Sequence, residues 1–309
     1  MAVGALVVVV GLAGAIVLGA SGGDSSSGTD SAQRSARVTG QGAGQSAAAS
    51  GKASGGSTVH GTATGKPGST PVPVLTYHVI APPPPGAPFP GLYVPADEFA
   101  AQMQGLKAAG WHPVTLDQLK AFWTSGVPLG PGKPIVLTFD NGYHSQYANA
   151  LPILRQLGWV ADENIQLSGL PPSQGGLTDA EVRALVAAGW ELDTQGISHA
   201  DLITLDGAEL HYQVAAARQI VQKRYGVPVN WFCYPSGHYD STVIGEVKAA
   251  GFVGSTTTIP GIASPANDPY RLPRLRVLAG TSPASLLDEI SSAAADSAPP
   301  ASYGGSQTT

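Results

Sequence analysis

The sequence predicts an α/β protein folded as a distorted (β/α) barrel of about seven strands. Three observations carry this. Short apolar runs alternate with segments of helical spacing between residues 71 and 292, the pattern of strands and helices in succession. Such alternation implies parallel strands joined by right-handed crossovers, and seven or so units in roughly 220 residues suit a barrel better than an open sheet. Polar residues also recur where strands end, at His78, Asp140-Asn141, Gln195–His199 and 232–237; in a barrel these ends open on one face.

In chain order, residues 72–77 read as the first strand. Residues 97–109 carry Phe99, Met103 and Leu106 at helical spacing and stop at Gly110. Thr115 with Gln118 forms a capping-box pattern for a helix through Phe122. The run Ile135-Val136-Leu137-Thr138-Phe139 is a buried strand, and a helix follows over 145–157. Thr178 with Glu181 opens a helix that ends before Gly189, and residues 190–194 resume as strand. Asp206 with Glu209 starts a long helix to Tyr225. A strand over 229–234, a helix over 240–250, a strand near 275–278 and a helix over 283–292 complete the series.

The flanks differ in composition. Residues 2–20 hold no charged side chain and are long enough to span a bilayer as a helix, so residues 1–22 read as a transmembrane anchor or a signal peptide that exports the rest. Residues 23–70, rich in Gly, Ser, Ala and Thr, read as a disordered linker, and residues 293–309 as a disordered tail. The barrel then spans 71–292. A net charge of −5 argues against a nucleic-acid partner, because phosphate binding needs a basic face. One cysteine, Cys233, excludes an internal disulfide.

The most specific segment is Thr138-Phe139-Asp140-Asn141-Gly142-Tyr143, which puts a carboxylate and a carboxamide at the mouth of a buried strand. Together with Val72-Pro73-Val74-Leu75-Thr76-Tyr77-His78, Ser198-His199-Ala200-Asp201-Leu202 and Tyr270-Arg271-Leu272-Pro273-Arg274, it resembles the NodB-homology polysaccharide deacetylases, and in particular the subgroup acting on poly-N-acetylglucosamine. Several spaced motifs in the right order make the resemblance specific. It implies an extracytoplasmic hydrolase that removes N-acetyl groups from a cell-surface polysaccharide, and a divalent, zinc-like metal that polarises the acetamide and activates water. It implies Asp140 as base, His78 as acid, and the segment Tyr234-Pro235-Ser236-Gly237 as groove wall and backbone oxyanion donor.

In the metal triad only His199 matches the family pattern. Asn141 stands for an Asp and Gln195 for a His. Neutral amide oxygens are weak donors for zinc, so metal affinity is expected to fall steeply. His144 and Asp193 are candidate replacement ligands. Plainer readings stand beside these. Asp140 also suits a helix cap, His78 a hydrogen-bonded core histidine, and Cys233 a buried small hydrophobe. Arg271 and Arg274 suit either pairing with site carboxylates or surface ion pairs. Two functional alternatives follow: a catalytically impaired member that binds glycan without hydrolysing it, and a two-carboxylate glycosidase, for which only Asp193 offers Asp140 an acidic partner.

Overall fold

The computed structural model describes residues 62–168, 170, 175–293 and 298–305. Eight strands pair in parallel: β1 (Val74–Tyr77), β2 (Trp111–Pro113), β3 (Lys133–Asn141), β4 (Asp162–Ile165), β5 (Glu191–Thr194), β6 (Trp231–Cys233), β7 (Gly254–Thr256) and β8 (Leu275–Arg276). Seven follow the order β7-β6-β5-β4-β3-β1-β8, and β2 pairs with the start of β3. The curved sheet returns toward itself where β7 meets the segment leading into β8. There Thr257 N–H donates to Leu272 O (2.9 Å) and Leu272 N–H to Ser255 O (3.0 Å). This is the predicted distorted (β/α) barrel.

Helices α1 (Ala96–Ala108), α2 (Leu116–Ser125), α3 (Leu151–Leu157), α4 (Asp179–Ala187), α5 (Gly207–His211), α6 (Ala217–Tyr225), α7 (Ser241–Ala249) and α8 (Pro283–Ser292) connect and cover the strands. Thr115 and Thr178 form reciprocal capping boxes with Gln118 and Glu181, which satisfies N–H groups that a helix start leaves unbonded. The long helix expected over 206–225 is interrupted by a π-turn, Tyr212–Ala216, between α5 and α6; a second π-turn, Gln146–Ala150, precedes α3.

The pleat of β3 sorts the interior. Ile135, Leu137 and Phe139 alternate to one side and join the apolar core. An aromatic stack runs through that core, with Tyr77 and Phe139 at 5.7 Å and Phe139 and Trp190 at 5.0 Å between ring centroids. A second apolar cluster, around Phe232, Val243 and Phe252, packs under α5–α7. Thr138 and Asp140, on the other side of β3, stand in register with Asp162 and Asn164 of β4, and Asn164 with Asp193 of β5. The barrel interior is therefore largely polar.

Three strands, β2, β4 and β7, lie outside the sequence expectation. β4 reads Asp-Glu-Asn-Ile, a composition that hydropathy assigns to loop, yet all four residues are buried because their polar atoms face the barrel interior or the core. Part of the expected tail is also ordered. Tyr239 and Tyr303 exchange backbone hydrogen bonds (2.8 Å each), and Tyr239 Oη donates to Pro300 O (2.8 Å). Near the other end, Gly68 N–H donates to Phe122 O (2.9 Å), docking the end of the expected linker on α2. The expected anchor at 1–22 lies outside the described residues, and among the described residues no helix is long and apolar enough to cross a membrane.

Candidate active site

At the carboxyl ends of the strands a cavity of about 300 Å³ opens, lined by His78 after β1, Asp140 and Asn141 of β3, Gln195 and His199 after β5, and Tyr234, Ser236 and Gly237 after β6. Of the residues expected as acid, base, metal triad and groove wall, all line this cavity except Pro235, which is buried within its turn. Phe89, Tyr143, Gln166, Thr258 and Arg276 add to the lining; none of these carried a sequence signal beyond the proximity of Tyr143 to the Asp140 motif.

Asp140 is 2 % exposed and clamped. Arg274 Nη1 and Nη2 donate to its Oδ1 and Oδ2 at 2.9 and 2.8 Å, a bidentate fork. Asn164 Nδ2 donates to Oδ1 at 2.9 Å and the Cys233 thiol to Oδ2 at 3.4 Å. Burial by itself would raise the carboxyl pKa, but the Arg274 guanidinium outweighs it and holds the group at about 2. Asp140 is therefore ionised at neutral pH. Of the two arginines, Arg274 is the site partner, while Arg271 pairs with Asp268 (3.1 Å) away from the pocket. Cys233 is buried, and burial pushes its thiol up to about 12, so it packs as an unreactive group.

His78 follows β1 and is held through its backbone: Gln146 Nε2 donates to His78 O (2.9 Å) and to Asp140 O (2.8 Å), tying two strand ends together. Burial lowers its imidazole pKa to about 4, although the Asp140 charge works in the opposite sense. The ring is neutral at pH 7. Its Nδ1 is buried with no partner among the described residues, a donor or acceptor left for a bound molecule.

Asn141 and His199 both adopt left-handed backbone, at φ 79° and 56°, which Asn tolerates well and His less so. Strained backbone of this kind concentrates at functional sites. The His199 loop is held by Gln213, whose Oε1 accepts from Ile197 N–H and Ser198 N–H (3.1 Å each). Burial also lowers the His199 pKa. In the turn after β6, Tyr234 N–H and Gly237 N–H are bonded to backbone carbonyls and Pro235 has none. Ser236 N–H, on a left-handed residue (φ 56°), is the turn's remaining donor. A Cβ at Gly237 would collide with Thr258, so this turn needs glycine for closeness as well as for its φ of 73°.

The residues at the expected metal position do not fit a zinc-like ion. Asn141 Nδ2 donates to Gln166 Oε1 (2.7 Å), and Gln195 Oε1 already accepts from Asn141 N–H (3.0 Å). The donor set is one imidazole and two neutral amides tied into hydrogen bonds, where a transition metal favours anionic or imidazole ligands. The two candidate replacements are elsewhere. His144 pairs with Glu181 (2.9 Å) at the surface, because the chain turns outward into a π-turn. Asp193 points down into the barrel, its Oδ1 accepting from Trp231 N–H (2.8 Å). Neither lines the pocket, and this also removes Asp193 as a glycosidase partner for Asp140.

A parallel (β/α) barrel with this strand-end pocket is the architecture of the polysaccharide deacetylases, and residues 129–255 match the sequence model of that family. Over those residues the chain carries a polysaccharide deacetylase (NodB-homology) domain. YxkH of Bacillus subtilis is 27% identical over 220 residues, covering 71% of this chain and 75% of that protein. The Streptococcus pyogenes deacetylase PplD, solved in complex with acetate, superposes with a TM-score of 0.65 at 27% identity, over 73% of this chain and 99% of that one. A poly-beta-1,6-N-acetyl-D-glucosamine N-deacetylase of Escherichia coli is 42% identical over 60 residues, which span 19% of this chain and 9% of that protein.

Proposed function

We propose that this chain removes N-acetyl groups from an N-acetylated cell-surface polysaccharide outside the cytoplasm. The observation that supports the reading is the convergence of His78, Asp140, His199 and the Tyr234–Gly237 turn on one cavity, at the strand ends where barrels place chemistry. In this reading the ionised Asp140 receives the proton of an attacking water, and His78 in its protonated form, a minority at neutral pH, delivers its proton to the leaving amine. Ser236 N–H faces the oxygen that becomes negative. A base near 2 and an imidazole near 4 are poorly matched to neutral pH, so this reading predicts slow turnover at pH 7.

One observation favours a second reading, a member that binds glycan without hydrolysing it. The mutually bonded amides of Asn141, Gln166 and Gln195 form a neutral, hydrogen-bonding wall suited to sugar hydroxyls and an acetamide. The deciding experiment measures acetate release from acetylated glucosamine oligomers, with and without chelator and with added Zn²⁺, Co²⁺ or Ni²⁺, alongside calorimetric binding of the same oligomers. Acetate release carries the first reading. Binding without release under every condition carries the second, and neither binding nor release rejects both.

A further inference from the structure

Toward the opposite end of the barrel interior from the pocket, three carboxylates of β4 and β5 face one another. Asp162, Glu191 and Asp193 each offer one oxygen to a set in which all atoms lie within 4.8 Å of each other. Asp162 stands in register with Glu191, and Asp193 lies one pleat further along. Each group has one oxygen held by backbone. Leu116 N–H donates to Asp162 Oδ1 (2.9 Å) and Asp117 N–H to Glu191 Oε2 (3.0 Å), both from the first turn of α2. Trp231 N–H donates to Asp193 Oδ1 (2.8 Å).

The second oxygen of each carboxylate is buried and has no hydrogen-bond partner among the described residues: Asp162 Oδ2, Glu191 Oε1 and Asp193 Oδ2. Asp162 and Asp193 are fully buried, and Glu191 lies within hydrogen-bonding reach of both. Among the described residues no ion pair with Lys, Arg or His involves any of the three. The start of α2 supplies the equivalent of about half a positive charge, and burial together with mutual repulsion raises all three carboxyl groups above their usual range when no cation lies between them. Buried carboxylates at this density are held together either by shared protons or by a cation, and one oxygen from each group within 4.8 Å of the others, with an unpartnered oxygen on every group, forms a cradle for the latter.

We propose that Asp162, Glu191 and Asp193 bind a hard divalent cation, Ca²⁺ or Mg²⁺, in the floor of the barrel, at a site separate from the strand-end pocket. An all-oxygen, anionic donor set selects hard cations over zinc, and none of the three residues lines the pocket. The ion fastens the start of α2 to β4 and β5, and so closes the floor of the fold.

The test uses the chain dialysed free of metal, titrated calorimetrically with Ca²⁺, Mg²⁺ and Mn²⁺ and melted with and without each. One ion per chain is expected, retained by His199→Ala and lost by Asp193→Asn and by Glu191→Gln. At about one hundred times its Kd the ion should raise the Tm of the wild type by about 5–10 °C. A wild-type chain that takes up none of the three ions, and melts at one temperature with or without them, overturns the proposal, shared protons then holding the cluster. An ion lost by His199→Ala and kept by Asp193→Asn also overturns it, since it would belong to the pocket. If the carboxylate variants do not fold, uptake by wild type and by His199→Ala decides on its own.

Discussion

Arg274 sets the state of Asp140. Their paired oxygens and nitrogens are almost fully buried, and a buried charge that loses its partner is costly. Arg274→Met should therefore lower stability by about 3–5 kcal/mol in chemical denaturation. A loss under 1 kcal/mol would show that Asp140 finds other support. Because the Asp140 pKa is held at about 2 against an ordinary 3.8, its contribution is complete above about pH 4 and lost as pH falls toward 2. Glu163 has the opposite sign. It is fully buried with both carboxyl oxygens unpartnered among the described residues, and burial raises its pKa well above the usual range. The unfolded chain ionises first, so stability falls as pH rises above about 4.5. Glu163→Leu, whose strand neighbours are Phe139 and Leu192, should gain more in Tm at pH 8 than at pH 5; an equal gain would contradict a protonated Glu163. At the pocket, Asn141→Asp with Gln195→His restores an anionic and an imidazole donor. Asp tolerates the left-handed backbone as Asn does, so the double variant is expected to bind Zn²⁺ at least 10–100-fold more tightly than wild type by calorimetry. Unchanged affinity would mean that these positions do not face a common ion.

Two π-turns support the pocket, and each carries a buried glutamine that fixes a loop. Gln146 bridges the carbonyls after β1 and in β3, and Gln213 gathers the N–H groups before His199. A π-turn shifts the helix by one residue, which re-aims a side chain, and such turns recur at functional sites. Gln213→Ala leaves the buried Ile197 N–H and the part-buried Ser198 N–H without an acceptor and should cost about 1–3 kcal/mol. Amide hydrogen exchange at Ile197 and Ser198 should speed up in parallel, and unchanged exchange there would mean that the loop holds itself. Neither glutamine was legible beforehand, because a π-turn has no hydrophobic period of its own. β4 was missed for a related reason: its Asp-Glu-Asn run has the polarity of a loop, and only the enclosing barrel makes it a strand.

Across the whole molecule, the segment 298–305 fastens onto the turn after β6 and the start of α7. His238 contacts Gly305 O (2.7 Å), Arg271 Nη1 donates to Pro299 O (3.1 Å), and Tyr303 pairs with Tyr239. Tyr234, in the pocket wall, packs against Tyr239 in a tilted pair with ring centroids 5.0 Å apart. Truncation after residue 293 removes the five hydrogen bonds that residues 298–305 make with the barrel, each worth about 0.5–1.5 kcal/mol. It should lower the Tm by about 5–10 °C and weaken glycan binding through the loosened Tyr234 turn. A truncated chain that melts and binds like the full one would mark this segment as dispensable.

The strand-helix alternation and the capping boxes pointed to the barrel, and the polar strand ends together with the deacetylase-like motifs singled out His78, Asp140, Asn141, Gln195 and His199, because each is a local pattern read over a few residues. Tertiary structure alone decided that Arg274 rather than Arg271 clamps Asp140, that amides bond to one another where a metal was expected, and that four polar residues of β4 are interior. These depend on which faces of distant strands meet across the barrel, and long-range registry leaves no periodic trace along the chain.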